Sequence, residues 1–179
     1  SASVLWQSNP WRRACGAVLQ DGFLFSDTIA NNIAESSSTV EIEQLRKAIR
    51  LANLATFIQE LPQQLQTKIG PQGNGVSQGQ RQRLLIARAI YKDPSFLFFD
   101  EATNALDAEN EKVIVDNLAQ FFAGRTVVVV AHRLSTVRNA DKIVVLEAGQ
   151  IVEEGTHDEL VASKGRYLEL ISNQLELGE

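Results

Sequence analysis

The sequence has few of the residues that mark several large classes of protein. Its single cysteine, Cys15, excludes an internal disulfide and favours a reducing compartment. Its longest apolar run, Thr126–Ala131, is far shorter than the roughly 20 residues that a membrane-spanning helix needs. The N-terminus lacks the basic and then apolar segments of a signal peptide. We therefore expect a globular domain in a reducing compartment.

Two further absences concern charge and the start of the chain. Lysine and arginine number 17 against 22 acidic residues, and the net charge of −5 argues against a general nucleic-acid binder. No nucleic-acid partner is expected. None of the 179 residues is methionine, although a natural reading frame begins with one. This absence predicts that the sequence is a piece of a longer protein.

Predicted strands and helices alternate along most of the chain. Apolar runs of strand length cover Ala17–Leu19, Phe96–Phe99, Thr126–Ala131, Lys142–Glu147 and Gln150–Glu154. Helical patterns cover Ser77–Tyr91, Glu109–Phe122, Thr156–Ser163 and Arg166–Leu177. The alternation predicts an α/β fold with a parallel sheet and helices on its faces. The β-branched run Thr126–Ala131 should be a fully buried strand of that sheet.

One helical block interrupts this alternation. Apolar residues at helical spacing fill Ser26–Leu61, and a glycine-rich loop at 70–75 precedes the helix that starts at Ser77. We therefore expect three regions. Residues 1–25 should be an N-terminal part of the α/β core, 26–92 an inserted helical subdomain, and 93–179 the rest of the core.

Two adjacent carboxylates, Asp100 and Glu101, follow the apolar strand Phe96–Phe99. In open α/β sheets ligands bind beyond the carboxyl ends of the strands, which is where both acids should lie. Asp100 is suited to hold Mg²⁺ through water, and Glu101 to polarise an attacking water. The alternative is an exposed Asp-Glu pair that opens a loop.

A second feature is the start of the long helix. Ser77 and Gln80 have the spacing of a capping box, in which each side chain binds the other's backbone N–H. A helix N-terminus with a serine hydroxyl and Gly79 nearby is a natural anion site. The alternative is an ordinary capped helix.

His132 and Gln20 follow two other predicted strands, at the same edge of the sheet as Asp100 and Glu101. A lone histidine is more often structural than catalytic. Three strand ends that each deliver a polar side chain to one edge are harder to attribute to chance, and they favour a functional site.

Together these residues resemble the nucleotide-binding domain of the ATP-binding cassette (ABC) transporters. Gln20 is similar to that family's Q-loop glutamine, and Val76–Gln80 to its signature motif, usually Leu-Ser-Gly-Gly-Gln. Phe96–Asp100 resembles the Walker B strand. The order and spacing agree from about Arg12 to the C-terminus. The resemblance implies a P-loop NTPase-like fold with an inserted helical subdomain, truncated at the N-terminus.

The rest of the motif set follows in order. Glu101 matches the catalytic glutamate, Asn104–Asp107 the D-loop and His132 the switch histidine. The resemblance implies ATP and Mg²⁺ as cofactors, with Asp100 and Gln20 at the metal.

In the family two such domains face head to tail. The resemblance therefore implies that Ser77, Gly79, Gln80 and Asp107 bind the nucleotide at the interface with a second domain. Glu101, His132 and Gln20 would be the catalytic residues.

This sequence departs from the family pattern in three places: the signature, the D-loop and the P-loop. Gln78 and Val76 replace the usual glycine and leucine of the signature, and Asn104 replaces the usual D-loop serine. No Gly-x-x-x-x-Gly-Lys-Ser/Thr occurs, nor any Gly-Lys pair. We expect an isolated chain without this P-loop to be inactive. Loss of the P-loop strand should also leave Phe96–Phe99 and Thr126–Ala131 with an uncovered edge.

Residues Leu24–Ile33 resemble the exporter branch of the family, and the signature and C-terminal tail resemble bacterial peptide or bacteriocin exporters with a leader peptidase. This implies an ATPase that drives export, bound to a transmembrane domain at the cytoplasmic face of the bacterial inner membrane. One alternative is a non-catalytic fragment that supplies only a signature face to a partner. A chromosome-organising ATPase is a third, although no heptad run supports it.

Overall fold

The computed structural model describes residues 14–19, 21–35, 39–70, 75–100, 108–130 and 137–176. It divides into two compact units, residues 1–128 and 129–179. Within these described ranges no helix is long and apolar enough to cross a membrane.

The first unit holds most of the elements. They are β1 (Cys15–Val18), β2 (Asp27–Thr28), α1 (Ile29–Ala34), α2 (Ile42–Leu51), α3 (Ala55–Glu60), a 3₁₀ turn (Gln64–Gln66), β3 (Lys68–Ile69), α4 (Gln78–Lys92), β4 (Phe96–Asp100) and α5 (Ala108–Phe122). Strand β5 (Thr126–Val130) contains the division between the units. The second unit continues with β6 (Ile143–Glu147), β7 (Gln150–Gly155), α6 (His157–Ser163) and α7 (Arg166–Glu176).

The main sheet has three strands in the order β1-β4-β5. Strands β1 and β4 are parallel, with Cys15 opposite Phe96 and Val18 opposite Phe99. Because the connection between them contains the whole helical block, this pair is the parallel crossover that the alternation predicts. The register also places the ends of β1 and β4 at the same edge of the sheet.

Two expectations about the strands were wrong. Strand β5 is not fully buried: Val128 is 46% exposed and Val130 is 53% exposed. Nor does β4 have an uncovered edge, since it lies between β1 and β5. A β-branched run indicates that a segment favours the strand conformation, but it does not indicate how many strands or helices cover that strand. In the described part of the sheet, β5 has β4 as its one strand neighbour.

Helix α4 is the central helix of the segment between β1 and β4. It packs against α1, α2 and strand β1, and apolar residues on more than one side of it are buried, including Leu84, Ile86 and Ile90. The helix begins after Ser77 and ends at Asp93, which takes the left-handed conformation (φ 51°) common at helix C-termini. Its bounds agree with the prediction to within one residue.

A small antiparallel ribbon was not predicted. Asp27 pairs with Ile69 and Thr28 with Lys68, which joins the start of α1 to the end of the 3₁₀ turn. Strands of two residues are too short to show an alternating pattern, so sequence periodicity cannot find them.

The second unit contains a hairpin and two helices. Strands β6 and β7 are antiparallel, and the turn between them has positive φ at Ala148 (48°) and Gly149 (78°). Positive φ at both central residues matches the right-handed twist of a two-residue hairpin. The predicted hairpin is therefore confirmed. Its inner face forms a small core with the two helices, made of Ile143, Val145, Leu160, Tyr167 and Ile171.

Candidate functional site

The N-terminus of α4 carries a complete capping box. The Ser77 backbone is extended (ψ 165°), and its Oγ accepts a hydrogen bond from the Gln80 N–H at 3.1 Å. In return the Gln80 Oε1 accepts from the Ser77 N–H at 2.8 Å. Gly75, two residues before Ser77, has a positive φ of 84°, a conformation that favours glycine. The structure thus confirms the capping box that the sequence predicts.

This helix end presents several hydrogen-bond donors in one place. The capping box uses the N–H groups of Ser77 and Gln80, and the Arg81 N–H binds the Ser77 carbonyl at 2.8 Å. The amides of Gln78 and Gly79 belong to the first turn, which a helix leaves outside its own hydrogen-bond ladder. Because Oγ of Ser77 is the acceptor in the box, the hydroxyl proton remains available as a donor. Ser77 is exposed, so an anion can reach these groups.

Asp100 is the last residue of β4 and is half-buried. Strands β1 and β4 run parallel, so the residues that follow Val18 and Phe99 leave the sheet at one edge. The structure therefore places the Asp100 carboxylate at the carboxyl end of the sheet, where ligands of α/β proteins bind. A carboxylate oxygen is a hard ligand of the kind that Mg²⁺ prefers.

Four of the predicted site residues lie outside the described residues. They are Gln20, Glu101, Asp107 and His132. Within the described ranges, the site consists of Ser77, Gly79 and Gln80 at α4, and Asp100 at β4. No hydrogen bond or ion pair described there joins the two groups.

Two arginines of α4 bind the segment that follows Leu19, and sequence reasoning missed both. Arg81 donates from Nη2 to the Gly22 carbonyl at 2.9 Å. Arg88 donates from Nη1 to the Phe23 carbonyl at 2.7 Å and from Nε to the Asn32 carbonyl at 2.8 Å. Their spacing of seven residues, two helical turns, puts them on one face of α4. That spacing was a signal in the sequence that the two arginines share a helix face, although it did not indicate what they contact.

Asn32 completes this contact from helix α1. Its side chain is 1% exposed, and its Nδ2 donates to the carbonyls of Phe25 (3.0 Å) and Thr28 (3.0 Å). Its Oδ1 accepts from the Phe25 N–H at 2.7 Å and from Arg88 Nη2 at 3.2 Å. Burial lowers the pKa of the Arg88 guanidinium from its ordinary value, and the charge of Glu35 opposes that shift. The guanidinium stays charged in this setting.

Known proteins match this chain along nearly its whole length. Residues 2–104 match the family model for "ABC transporter". The chain is 50% identical over 174 residues to the exotoxin translocation ATP-binding protein PaxB of Pasteurella aerogenes, with 97% of this chain and 24% of that protein covered. It is 49% identical over 164 residues to ABC transporter B family member 21 of Arabidopsis thaliana, covering 91% of this chain and 13% of that protein.

A solved structure agrees with the fold. The chain superposes with a TM-score of 0.86 and 40% identity on a bacterial Atm1-family ABC exporter with ATP bound, covering 91% of this chain and 28% of that one. The parallel sheet, its helices and the capped α4 are thus those of an ABC-type ATPase fold. The chain belongs to the ABC transporter family. It spans about a quarter or less of the length of the relatives compared here.

Proposed function

We propose that this chain is part of the ATP-hydrolysing subunit of an ABC exporter, which couples ATP hydrolysis to transport across a membrane. The observation that carries the proposal is the N-terminus of α4, where the exposed Ser77 forms a complete capping box with Gln80, next to Gly79. An ordinary capped helix needs only the serine and the glutamine. The match to the ABC transporter family model supports a nucleotide as the anion that this helix end would bind.

The match to the ABC transporter family supports a nucleotide held between two domains. One domain's α4 would contact the γ-phosphate of an ATP bound to the other, in a head-to-tail pair. The Ser77 hydroxyl and the first-turn amides would donate hydrogen bonds to phosphate oxygens, and the helix dipole would favour their negative charge. Asp107, in the D-loop, would lie at the same interface.

The carboxyl edge of the sheet would hold the metal and the catalytic groups. Asp100, at the end of β4, and Gln20, after β1, fit Mg²⁺ because both offer oxygen ligands. When bound, Mg²⁺ neutralises charge that develops on the phosphates. Glu101 would orient and polarise the attacking water, and His132 would contact the γ-phosphate. Positioning and charge stabilisation account for most of the catalysis in phosphoryl transfer.

The partners and location follow from the exporter branch. We propose a second nucleotide-binding domain and a transmembrane domain of the same transporter as partners, at the cytoplasmic face of the bacterial inner membrane. A peptide or bacteriocin is the proposed cargo. This is supported by relatives that are named toxin translocation proteins.

The 179-residue chain by itself should behave differently from a complete subunit. Its sequence has no Gly-Lys pair and hence no P-loop to grip the β- and γ-phosphates, whereas the capped end of α4 is complete. We therefore propose that the isolated chain does not hydrolyse ATP measurably and offers only a signature face. Magnesium-dependent turnover within about tenfold of a complete domain, abolished by Glu101→Ala, would contradict this.

The test of the proposed role uses two matched capping boxes. Thr156 caps α6 through Glu159 just as Ser77 caps α4 through Gln80. In a complete subunit that contains this chain, Ser77→Arg should abolish ATP-driven pairing of the domains, while ATP binding persists. Thr156→Arg removes an equivalent cap and should leave pairing intact. Equal effects of the two variants would show that Ser77 is only a helix cap.

A further inference from the structure

Helix α4 holds the segment 21–25 at two successive carbonyls. Arg81 binds the carbonyl of Gly22 at 2.9 Å, and Arg88 binds that of Phe23 at 2.7 Å. Both bonds are charge-assisted, which makes them stronger than bonds between neutral groups. The first contact starts from the residue directly after Gln80, and so from the same helical turn as the anion site.

Gly22 also lies against the helix itself. A Cβ at this position would be 2.4 Å from Cδ1 of Leu85, a distance that real Cβ atoms essentially never show. Leu85 is 6% exposed, so its methyl groups have little room to move. The Gly22 N–H donates to the Leu19 carbonyl at 3.1 Å, which joins this contact to the end of β1. The segment between them in the sequence includes Gln20.

The other end of the segment is fixed by Asn32 and Arg88. Asn32 binds both the N–H and the carbonyl of Phe25, and the Arg88 guanidinium stacks over the Phe25 ring at 5.0 Å from its centroid. The segment is therefore tied to α4 at Gly22, Phe23 and Phe25. A displacement of α4 has to move it, unless these bonds break.

We propose that Arg81 is a positioning residue that couples the first turn of α4 to segment 21–25, so that closure of α4 over a nucleotide is transmitted to this segment and to the end of β1. The inference rests on the proposed function, because the nucleotide at α4 is part of it. Arg81 acts through its hydrogen bond to the Gly22 carbonyl. Arg88 and Asn32 maintain the far end of the same connection.

The test measures amide hydrogen exchange in a complete subunit that carries Glu101→Gln, with and without ATP and magnesium. In this parent, ATP should slow exchange at Gln80 and also at Gly22 and Phe25, whose N–H groups bond to Leu19 and Asn32. In Arg81→Gln the slowing at Gln80 should persist. At Gly22, ATP should slow amide exchange roughly tenfold in the parent but less than about twofold in Arg81→Gln. A change of this size is expected when the coupling between two sites is lost.

A purely structural role for Arg81 would raise exchange at Gly22 equally with and without ATP, and that result would overturn the proposal. The control is Arg46→Gln on α2, which removes an arginine of the same subdomain whose side chain is 73% exposed. In this control variant, ATP should still slow amide exchange at both Gln80 and Gly22. If ATP fails to protect Gln80 in the parent, the proposed function itself is wrong and the role of Arg81 falls with it.

A second pair of variants tests the same contact if Arg81→Gln does not fold. Gly22→Val places side-chain atoms where Leu85 lies. In this variant ATP should no longer slow amide exchange at position 22 and at Phe25, as in Arg81→Gln. Leu85→Ala in the Gly22→Val background opens that space and should restore the ATP response of Phe25 to within about twofold of the parent. Coupling that survives Gly22→Val, or that the second substitution fails to restore, would overturn the proposal.

Discussion

Arg88 and Asn32 are bound to each other by two hydrogen bonds, from Nε to the Asn32 carbonyl (2.8 Å) and from Nη2 to its Oδ1 (3.2 Å). The pair joins α4 to α1 across 56 residues of sequence. Asn32 is one of two buried polar or charged residues in the described part of the chain. A buried amide is tolerated only where its hydrogen-bonding groups are satisfied. Here the backbone of the Phe25–Thr28 turn and the guanidinium of Arg88 satisfy them.

We expect Asn32→Ala to lower the free energy of unfolding by about 2–4 kcal/mol. The N–H and carbonyl of Phe25 and the carbonyl of Thr28 lose their Asn32 partner, and Nη2 of Arg88 loses the Asn32 Oδ1. Asn31→Ala is the matched control. Its amide binds Asp27 at the surface side of the same helix (3.0 Å), and the loss should be below about 1 kcal/mol. Urea unfolding of the 179-residue chain measures both. Equal losses of unfolding free energy in the two variants would show that the hydrogen bonds of Asn32 stabilise the fold no more than those of Asn31.

The capping box of α6 should respond to acid. The Thr156 backbone N–H, followed by the Thr156 hydroxyl, holds the pKa of the Glu159 carboxyl below its ordinary value of 4.5. A lowered folded-state pKa gives stability that is present above pH 4.5 and is lost as the pH falls through the folded-state value.

The corresponding measurement compares the chain with its Glu159→Gln variant. The difference in the free energy of unfolding should be largest near about pH 7 and should shrink towards about pH 3. A Glu159→Gln difference that is constant or grows in acid would contradict the assigned hydrogen bonds.

The exposed side of β5 should make the isolated chain associate. Val128 and Val130 are 46% and 53% exposed, and β4 is the described strand that pairs with β5. Exposed apolar strands promote association between chains. Val128→Lys with Val130→Lys should shift sedimentation towards monomer at concentrations of about 10–100 µM. Val115→Lys, which makes the same change at a helical residue 48% exposed, should leave association unchanged. Unaltered association of the double variant would refute this.

The sequence predicted those features that depend on local pattern. The capping box at Ser77 follows from the spacing of two side chains, and the turn at Ala148 and Gly149 follows from the short link between two apolar runs. Both are confirmed because each is determined within a few residues. The family resemblance was also readable, because its motifs occur in a fixed order.

Features that depend on distant residues could not be predicted in the same way. The burial of β5 depends on which strands flank it, and a β-branched run carries no information about them. The contacts of Arg81 with Gly22 and of Arg88 with Asn32 join residues more than 50 positions apart. Arginines on a helix are usually solvated, and only the fold shows that these two point at backbone carbonyls.

The most direct test of the central claim is size-exclusion chromatography of Glu101→Gln in a complete subunit, with ATP and magnesium. Glutamine keeps the size of the side chain but is a far weaker base. Hydrolysis should fall by at least roughly a hundredfold, ATP should still bind, and a closed dimer should accumulate. Ser77→Arg should instead remain monomeric with ATP bound. If Glu101→Gln stays monomeric or keeps near-normal turnover, Glu101 is a loop carboxylate and the account of this site as an ATPase is wrong.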